Sequence, residues 1–334
     1  MKVLIVRLGA MGDVLHTLPA VAALRRAHSQ VQIDWIIDER WLPLLSRDGA
    51  PPIVSAALPA PVRAWKREPF SLSTLRSFTS FRKLRRRYDF VVDVQGTMRS
   101  SAIAWQTRGS NGVSGFSDPR EALARRFYQQ AFTRQGEHVV EQNASLLSAA
   151  LNESLTPASV ELPQMRSDDE WVKQQLRATP LCVLAPRTGW AAKQWPVERF
   201  AALARALDDA GWDVTVNAPQ PNDELALELV RQGRGTARIL PCDVSRLIAL
   251  MRHARLVIGG DSGPVHLAAA LARPVVALFG PTSPERNGPW GPGPIQILRS
   301  PLSRTSYSRS AAPDAGLASL SVDNVLAAIS TLQP

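Results

Sequence analysis

A chain of 334 residues is long enough for about two domains, and 45% hydrophobic with 20% charged residues is an ordinary globular composition, not a disordered one. No stretch of about 18 uncharged apolar residues occurs and the N-terminal apolar run is short and strand-like, so we expect neither a transmembrane helix nor a signal peptide. Cys182 and Cys242 lie far apart in predicted core elements, which favours buried free thiols in a reducing cytoplasm, and no Cys/His group has metal-ligand spacing.

The first 28 residues predict a strand, a glycine loop and a helix. Residues 2–8 contain a continuous apolar run, typical of a parallel strand covered on both faces. Gly9 and Gly12 follow, and a helix is expected over 13–28, beginning at Asp13. Because a carboxylate repels phosphate, Asp13 is interpreted as a group for proton chemistry or hydroxyl binding. The alternative is that Asp13 only caps the helix.

The rest of the first half alternates apolar strands with helical patterns, which predicts a parallel sheet. Strands are expected at 31–37 and 88–94, with shorter candidates at 53–58 and 112–116. Helices are expected at 71–87, 97–107, 119–130 and 139–150. Residues 152–168 carry Pro, Ser and Asp and are interpreted as an interdomain linker.

Much of the net charge of +10 is concentrated in one basic block. Between residues 63 and 87 the only acid is Glu68, and the basic residues are Arg63, Lys66, Arg67, Arg76, Arg82, Lys83, Arg85, Arg86 and Arg87. Such a block attracts nucleic acid, anionic lipid or an acidic substrate. For 82–87 a solvated helix face is the alternative, whereas 63–67 is interpreted as a loop with a ligand-binding role.

The second half repeats the alternation and predicts a second doubly wound domain. Strands are expected at 181–184, 212–216, 238–240, 256–259 and 274–279, with helices from about 197, from about 222, at 244–253 and at 264–271. Residues 301–316 are interpreted as loose, and 321–332 as a final helix capped by Ser321. Two such domains would form a cleft between the carboxyl edges of their sheets.

A second candidate site begins at Gly259 and Gly260, where a buried strand ends and a helix starts. The free N–H groups around residues 262–265 and the helix dipole favour an anion there. Ser262 adds a hydroxyl, and His266 lies one turn into the helix. Taken alone, a histidine in the position of His266 is more often a hydrogen-bonded structural residue.

Both sites resemble a known family. Residues 11–19 (MGDVLHTLP) and 261–266 (DSGPVH) resemble the signatures of the bacterial heptosyltransferases of glycosyltransferase family 9. Residues 34–39, 93–96, 120–128 and 193–196 are similar to the type I branch of the lipopolysaccharide heptosyltransferases, in the same order along 1–290. The resemblance implies the α/β GT-B fold, in which two Rossmann-like doubly wound parallel-sheet domains face each other across a cleft. It implies an acceptor-binding domain at 1–160, an ADP-heptose-binding domain at 170–320, and a C-terminal helix within 321–334 that could pack across the junction.

The implied reaction is the inverting, metal-independent transfer of L-glycero-D-manno-heptose from ADP-heptose to the inner 3-deoxy-D-manno-octulosonic acid (Kdo) of the lipopolysaccharide core, with no cofactor. Asp13 would be the base that takes the acceptor hydroxyl proton, and Lys193 would stabilise the leaving diphosphate. The implied donor-binding residues are Thr188, Glu224, Asp261, Ser262, Gly263, Pro264, Val265 and His266. Asp261 would hold hydroxyls, the choice between Asp223 and Glu224 for the ribose stays open, and residues 188–192 lack the polar pattern of the family's donor loop.

The acceptor implied by the resemblance is Kdo-lipid A, an anionic sugar on a phosphorylated lipid. The residues expected to contact it are Gly12, Arg63, Lys66, Arg67, Gln95, Arg99 and Arg120, while 82–87 would face phosphates or anionic lipid. The chain would then be a cytoplasmic monomer, peripheral to the inner membrane and without a nucleic-acid partner.

Other functions remain as alternatives. Heptosyltransferase II, or another family 9 enzyme with a different acceptor, would share these motifs. A catalytically silent nucleotide-sugar-binding protein would share the fold, but Asp13 and Lys193 argue for turnover. A nicotinamide dehydrogenase lacks its G-x-G-x-x-G signal here, and no stacking motif supports nucleic-acid binding.

Overall fold

The computed structural model describes residues 1–45, 53–306 and 313–332. The chain divides into two compact units, Met1–Pro163 and Gln164–Pro334, with the division inside the predicted linker. In the described residues no helix is both long and apolar enough to cross a membrane.

The first unit contains one six-stranded parallel sheet. Its strands are β1 (Lys2–Val6), β2 (Gln32–Asp38), β3 (Ala56–Ala60), β4 (Phe90–Asp93), β5 (Val113–Phe116) and β6 (Gln130–Phe132). Its helices are α1 (Met11–Leu15), α2 (Leu18–Ala27), α3 (Val62–Arg67), α4 (Leu72–Thr79), α5 (Met98–Thr107) and α6 (Val139–Leu151). Three 3-10 helices span Glu39–Leu44, Ser80–Leu84 and Ala122–Phe127.

The sheet order β3-β2-β1-β4-β5-β6 reverses direction between β1 and β4. All pairs are parallel, and Val6 lies opposite Asp93 at the carboxyl end of the central pair. Loops that leave β1 and β4 therefore diverge to opposite sides and open a crevice at this edge, where α/β proteins bind ligands.

The second unit has the same topology. Its strands are β7 (Leu181–Ala185), β8 (Asp213–Ala218), β9 (Arg238–Pro241), β10 (Leu256–Gly260), β11 (Val275–Phe279) and β12 (Ile295–Arg299). Its helices are α7 (Arg166–Gln175), α8 (Val197–Asp209), α9 (Glu224–Gln232), α10 (Val244–His253), α11 (Gly263–Ala270), α12 (Pro284–Asn287), α13 (Ala315–Ser319) and α14 (Val322–Leu332), with a 3-10 turn at Ala191–Lys193. The order β12-β11-β10-β7-β8-β9 places the corresponding reversal between β7 and β10.

The final helix packs inside the second unit. Val325 and Ile329 of α14 join Trp195 and Phe200 in a buried cluster, and the helix contacts α8, β11 and β12. Ser321 accepts a hydrogen bond from the backbone N–H of Asn324, as its predicted capping role requires.

The helix predicted over 13–28 is wrong as a single element. It is two helices, α1 and α2, with a break at His16 and Thr17. Pro19 lacks an N–H and occupies the first turn of α2, where that loss is tolerated. Asn143 of α6 donates to the His16 carbonyl at 3.0 Å, which satisfies a backbone group exposed by the break.

Other differences occur where tertiary contacts outweigh local patterns. Residues 63–67, predicted as a loop, lie in α3 because Val62 and Trp65, at helical spacing, are both buried. The helix predicted over 71–87 ends at Thr79 and continues as a 3-10 helix. The helix predicted over 119–130 is a 3-10 helix followed by β6, and the linker extends into α7. The stretch predicted as loose, 301–316, contains part of α13, and its residues 307–312 lie outside the described residues.

Candidate active site

Asp13 lies at the carboxyl edge of the first sheet, held from two sides. One carboxylate oxygen is 2.8 Å from Arg7 Nη2, and the other accepts the Ala10 N–H at 3.0 Å. The Arg7 guanidinium is buried and also donates to the Val94 carbonyl at 2.7 Å. Asp13 itself keeps 34% of its side chain exposed. The result is an oriented carboxylate with an accessible face, and Ala10, not Asp13, is the helix cap.

The loop after β4 is tied to the Asp13 loop through Gln95. The Leu8 N–H donates to Gln95 Oε1 at 2.7 Å, so the two loops of the crevice are joined directly. Gly96 has φ +71°, and a Cβ there would lie 3.0 Å from the backbone nitrogen of Arg120. Glycine is required because the turn is left-handed and the next loop passes so close.

Asp93 supports this loop from below. It is fully buried and accepts the Gln95 and Gly96 N–H groups, together with the hydroxyls of Ser100 and Tyr128 at 3.0 and 2.7 Å. Burial raises the pKa of the Asp93 carboxyl even though all four donors act in the opposite direction. Asp93 therefore positions Gln95 and does not itself face solvent.

The predicted acceptor residues separate into two groups. In the first group, Gly12 lies in α1 beside Asp13 and Gln95 lies in the loop after β4. Arg99 is at the start of α5, and Arg120 belongs to the segment that contacts Gly96. The second group is exposed on α3, which follows β3, two strands away from β1: Arg63, Lys66 and Arg67.

The second site is centred on Asp261, at the end of β10. Lys193 Nζ is 2.5 Å from Asp261 Oδ2, and Thr282 Oγ1 donates to the same oxygen at 2.8 Å. His266 Nε2 lies 3.0 Å from Oδ1. Lys193 also lies over the Trp190 ring, 4.3 Å from its centroid. The predicted catalytic lysine is thus held by an aromatic ring and a buried carboxylate.

Asp261 is ionised in this environment. Burial acts to raise its pKa, but the hydrogen bond and charge of His266, together with Lys193, outweigh burial and hold the pKa of Asp261 well below its usual value. Both oxygens have protein partners, which position the carboxylate, and the hydroxyl-binding role expected of Asp261 stays a prediction.

The start of α11 lies beside this cluster. Ser262 is the N-cap, its hydroxyl makes no cap bond, and the buried Oγ has no hydrogen-bond partner in the described residues. Gly263, Pro264 and Val265 form the first turn, and the N–H groups of Gly263 and Val265 lie at the positive end of the helix dipole; Pro264 has no N–H. A Cβ on Gly260 would lie 2.8 Å from the Lys193 carbonyl, so glycine allows the two loops to approach.

The remaining donor-site residues are less tightly grouped. Thr188 Oγ1 donates to the Trp190 carbonyl at 2.8 Å, which shapes the loop that carries Lys193. Asp223 caps α9 and pairs with Arg187 at 2.5 Å, whereas Glu224 is exposed in the first turn. Glu224 is therefore the more accessible of the two carboxylates left open by the sequence.

Comparison with known proteins identifies the family. The profile described as "Glycosyltransferase family 9 (heptosyltransferase)" matches residues 78–310. Lipopolysaccharide heptosyltransferase 1 of Pseudomonas aeruginosa is 32% identical over 308 residues, 89% of this chain and 83% of that protein. The chain belongs to glycosyltransferase family 9. The prediction from residues 11–19 and 261–266 is confirmed.

Solved structures agree with this assignment. The chain is similar to the E. coli heptosyltransferase WaaC with ADP, with a TM-score of 0.78, 26% identity and 99% of both chains covered. It is also similar to WaaC with ADP-2-deoxy-2-fluoro heptose, with a TM-score of 0.75 and the same identity and coverage. The two parallel six-stranded sheets are those of the GT-B fold, as expected from the sequence, and this family 9 member is an enzyme that transfers heptose.

Two side chains that contact the predicted site residues, Arg7 and Trp190, escaped sequence reasoning. Arg7 directly follows the apolar run of β1, where an arginine is either buried or reaches into the adjoining loop. That position was the signal in the sequence from which its contact with Asp13 could have been predicted. Trp190 lies three residues before Lys193 in the same loop, and no local pattern reports that its ring contacts the Lys193 ammonium; Thr282 follows β11, the neighbour of β10, and contacts Asp261 from there. Among the described residues, no group of three or more His, Cys, Asp or Glu could hold a metal ion.

Proposed function

We propose that this enzyme transfers L-glycero-D-manno-heptose from ADP-heptose to the inner Kdo of the lipopolysaccharide core, carried on Kdo-lipid A, with inversion at the anomeric carbon. The acceptor would bind at the carboxyl edge of the first sheet and the donor at that of the second. The observation that carries the proposal is the geometry of Asp13, a carboxylate oriented by buried Arg7 and open on one face. The loops after β1 and β10 carry motifs that resemble those of family 9, and the whole chain is similar to heptosyltransferase 1. Both similarities support the choice of substrates.

In this mechanism Asp13 is the general base. It accepts the proton of the Kdo hydroxyl while that oxygen attacks the anomeric carbon from the face opposite ADP. Arg7 and the Ala10 N–H keep the carboxylate in one rotamer, so little reorganisation is needed at the moment of attack. Arg7 is therefore a positioning residue, since it acts through Asp13.

The departing ADP would be stabilised by the second site. Negative charge grows on the diphosphate as the glycosidic bond breaks, and Lys193 supplies a positive charge held by Asp261 and Trp190. Ser262 Oγ and the first N–H groups of α11 add hydrogen-bond donors. Glu224 would bind the ribose. These groups provide charge stabilisation without requiring a metal ion or a cofactor.

The acceptor is expected to be held by Gln95, Arg99 and Arg120, with Arg63, Lys66 and Arg67 beyond them. Guanidinium groups suit the Kdo carboxylate because they bind it bidentately. Since Kdo-lipid A is a membrane lipid, we propose that a monomeric enzyme works at the cytoplasmic surface of the inner membrane, attracted there by its basic block.

An ADP-release assay tests this proposal. The enzyme would be incubated with ADP-heptose and Kdo-lipid A, and in parallel with a core intermediate that already carries the first heptose. We expect release with Kdo-lipid A, loss of release in Asp13→Ala, and a product of inverted anomeric configuration by NMR. Release only with the heptosylated acceptor would instead indicate a type II enzyme, and ADP binding without release from either would indicate a silent binding protein.

A further inference from the structure

Helix α4 presents both of its leucines to solvent. No residue of the helix is buried, and its leucines face outward: Leu72 is 71% and Leu75 57% exposed, while Phe70, just before the helix, is 99% exposed. The inward side carries Ser77, whose Oγ accepts a 2.7 Å hydrogen bond from the buried Trp65 indole, and half-buried Phe78, whose ring packs edge-on against Trp65 at 5.5 Å. A helix that only covers a protein core keeps its leucines on the inward side as well. The exposed apolar side chains therefore require a covering partner.

The charges around this apolar edge define the partner. Nine basic residues and one acid lie between 63 and 87, and the basic side chains nearest the edge, Arg63, Lys66, Arg67 and Arg76, are exposed. The 3-10 helix that follows α4 continues the surface with exposed Arg82 and Lys83. Apolar side chains on α4, with cations on α4 itself and on the helices before and after it, have the chemistry of an interfacial membrane anchor.

We propose that Phe70, Leu72 and Leu75 insert into the headgroup–acyl boundary of an anionic bilayer, with the surrounding basic residues on the lipid phosphates. The anchor would bring the enzyme into contact with the membrane that contains the lipid-linked acceptor. Its biological purpose rests on the proposed function, but its binding to a bilayer does not. It goes beyond electrostatic attraction, because the apolar side chains make part of the binding independent of salt.

Vesicle co-sedimentation tests the anchor without either substrate. The wild-type chain would be mixed with vesicles of phosphatidylglycerol and phosphatidylcholine, at low salt and at about 0.5 M salt, where surface charges are largely screened. We expect binding that weakens with salt but persists. The variant Phe70→Ser/Leu72→Ser/Leu75→Ser should bind at least about tenfold more weakly, because it loses three apolar side chains that would be partly buried in the bilayer. Its residual binding should vanish at high salt.

Leu302→Ser is the matched control, because Leu302 is 68% exposed in the second unit, outside the basic block. Its vesicle binding should equal that of the wild type. ADP release with a deacylated, water-soluble Kdo acceptor should be unchanged in the triple variant. That readout separates the two proposals. If the proposed function is wrong, the wild type itself releases no ADP with this acceptor. If only the anchor is wrong, the wild type still releases ADP at its normal rate.

A fluorescent label gives a second measurement that does not depend on the triple variant folding. Cys182 and Cys242 are buried free thiols, so Phe70→Cys offers the accessible site for an environment-sensitive dye, with Leu302→Cys as control. Anionic vesicles should shift the emission of the dye to the blue at position 70 only.

Three results would overturn the anchor. One is wild-type binding that high salt abolishes completely, which would leave electrostatic attraction alone. Another is equal binding by the wild type and the triple variant, or no shift at position 70. The third is a wild-type dimer that becomes a monomer in the triple variant without vesicles, because the apolar edge would then be covered by a second copy of the chain.

Discussion

Replacing Asp13 with Asn tests the proposed base most directly. The amide has the same size and can still accept the Ala10 N–H, now 3.0 Å from the carboxylate, but it cannot take a proton from the acceptor. Loss of a general base reduces turnover by roughly 10²–10⁴-fold, equivalent to about 3–5 kcal/mol in the barrier. ADP affinity should change little, because the proposed donor contacts lie in the other unit.

The same substitution has a separate, smaller effect on stability. It removes the anionic partner of Arg7, whose side chain is only 8% exposed and which keeps its bond to the Val94 carbonyl. Breaking a fully buried ion pair costs about 3–5 kcal/mol, and the partial exposure of Asp13 reduces the expected loss to about 1–2 kcal/mol. This loss is too small to unfold a typical domain, so the kinetic effect remains measurable.

The assay is single-turnover ADP release at saturating donor, with urea unfolding of each variant and ADP binding by calorimetry. Asp118→Asn serves as the control, since Asp118 is an exposed carboxylate paired with Arg134 in the same unit. Turnover of Asp13→Asn within threefold of the wild type, in a folded protein, would refute the assignment of Asp13 as the base.

Three further predictions concern the supporting residues. Lys193→Met should lower turnover by roughly 10²–10³-fold in the ADP-release assay, because the diphosphate loses its cation, while substitution of the exposed Lys173 (Lys173→Met), which pairs with Asp169, should not. Because the pKa of Asp261 is depressed in the folded state, its ionised form stabilises the protein above about pH 4, and that contribution is lost as the pH falls below this range. The melting temperature of Asp261→Asn should therefore depend less on acid pH than that of the wild type. An unchanged acid dependence would contradict the argument. Tyr128→Phe should cost about 1–3 kcal/mol in chemical denaturation, because buried Asp93 loses a donor.

Long apolar runs made the central strands predictable. The expected strands at 31–37, 181–184, 256–259 and 274–279 each lie within one or two residues of β2, β7, β10 and β11, because strands covered on both faces need continuous hydrophobic sequence. The edge strands β6 and β12 went unrecognised. They are three and five residues long and only partly buried, so their side chains show no such pattern.

The residues of the site were predictable to different degrees. Asp13, Gln95, Lys193 and Asp261 follow or precede strands in recognisable motifs, so their positions at sheet edges followed from chain order. Their partners did not. The pairing of Asp13 with Arg7 depends on how β1 turns into its loop, and that of Lys193 with Asp261 joins residues 68 positions apart.

The sequence by itself determined the α/β class, the division near 152–168, the two glycine loops and the family, because each is written in local periodicity or in contiguous motifs. Tertiary structure alone decided the sheet orders that place those loops at matching reversals, the occupied oxygens of Asp261, and the outward-facing leucines of α4. These features depend on contacts between residues distant in the chain, whose energies are set by burial and geometry that no short stretch of sequence encodes.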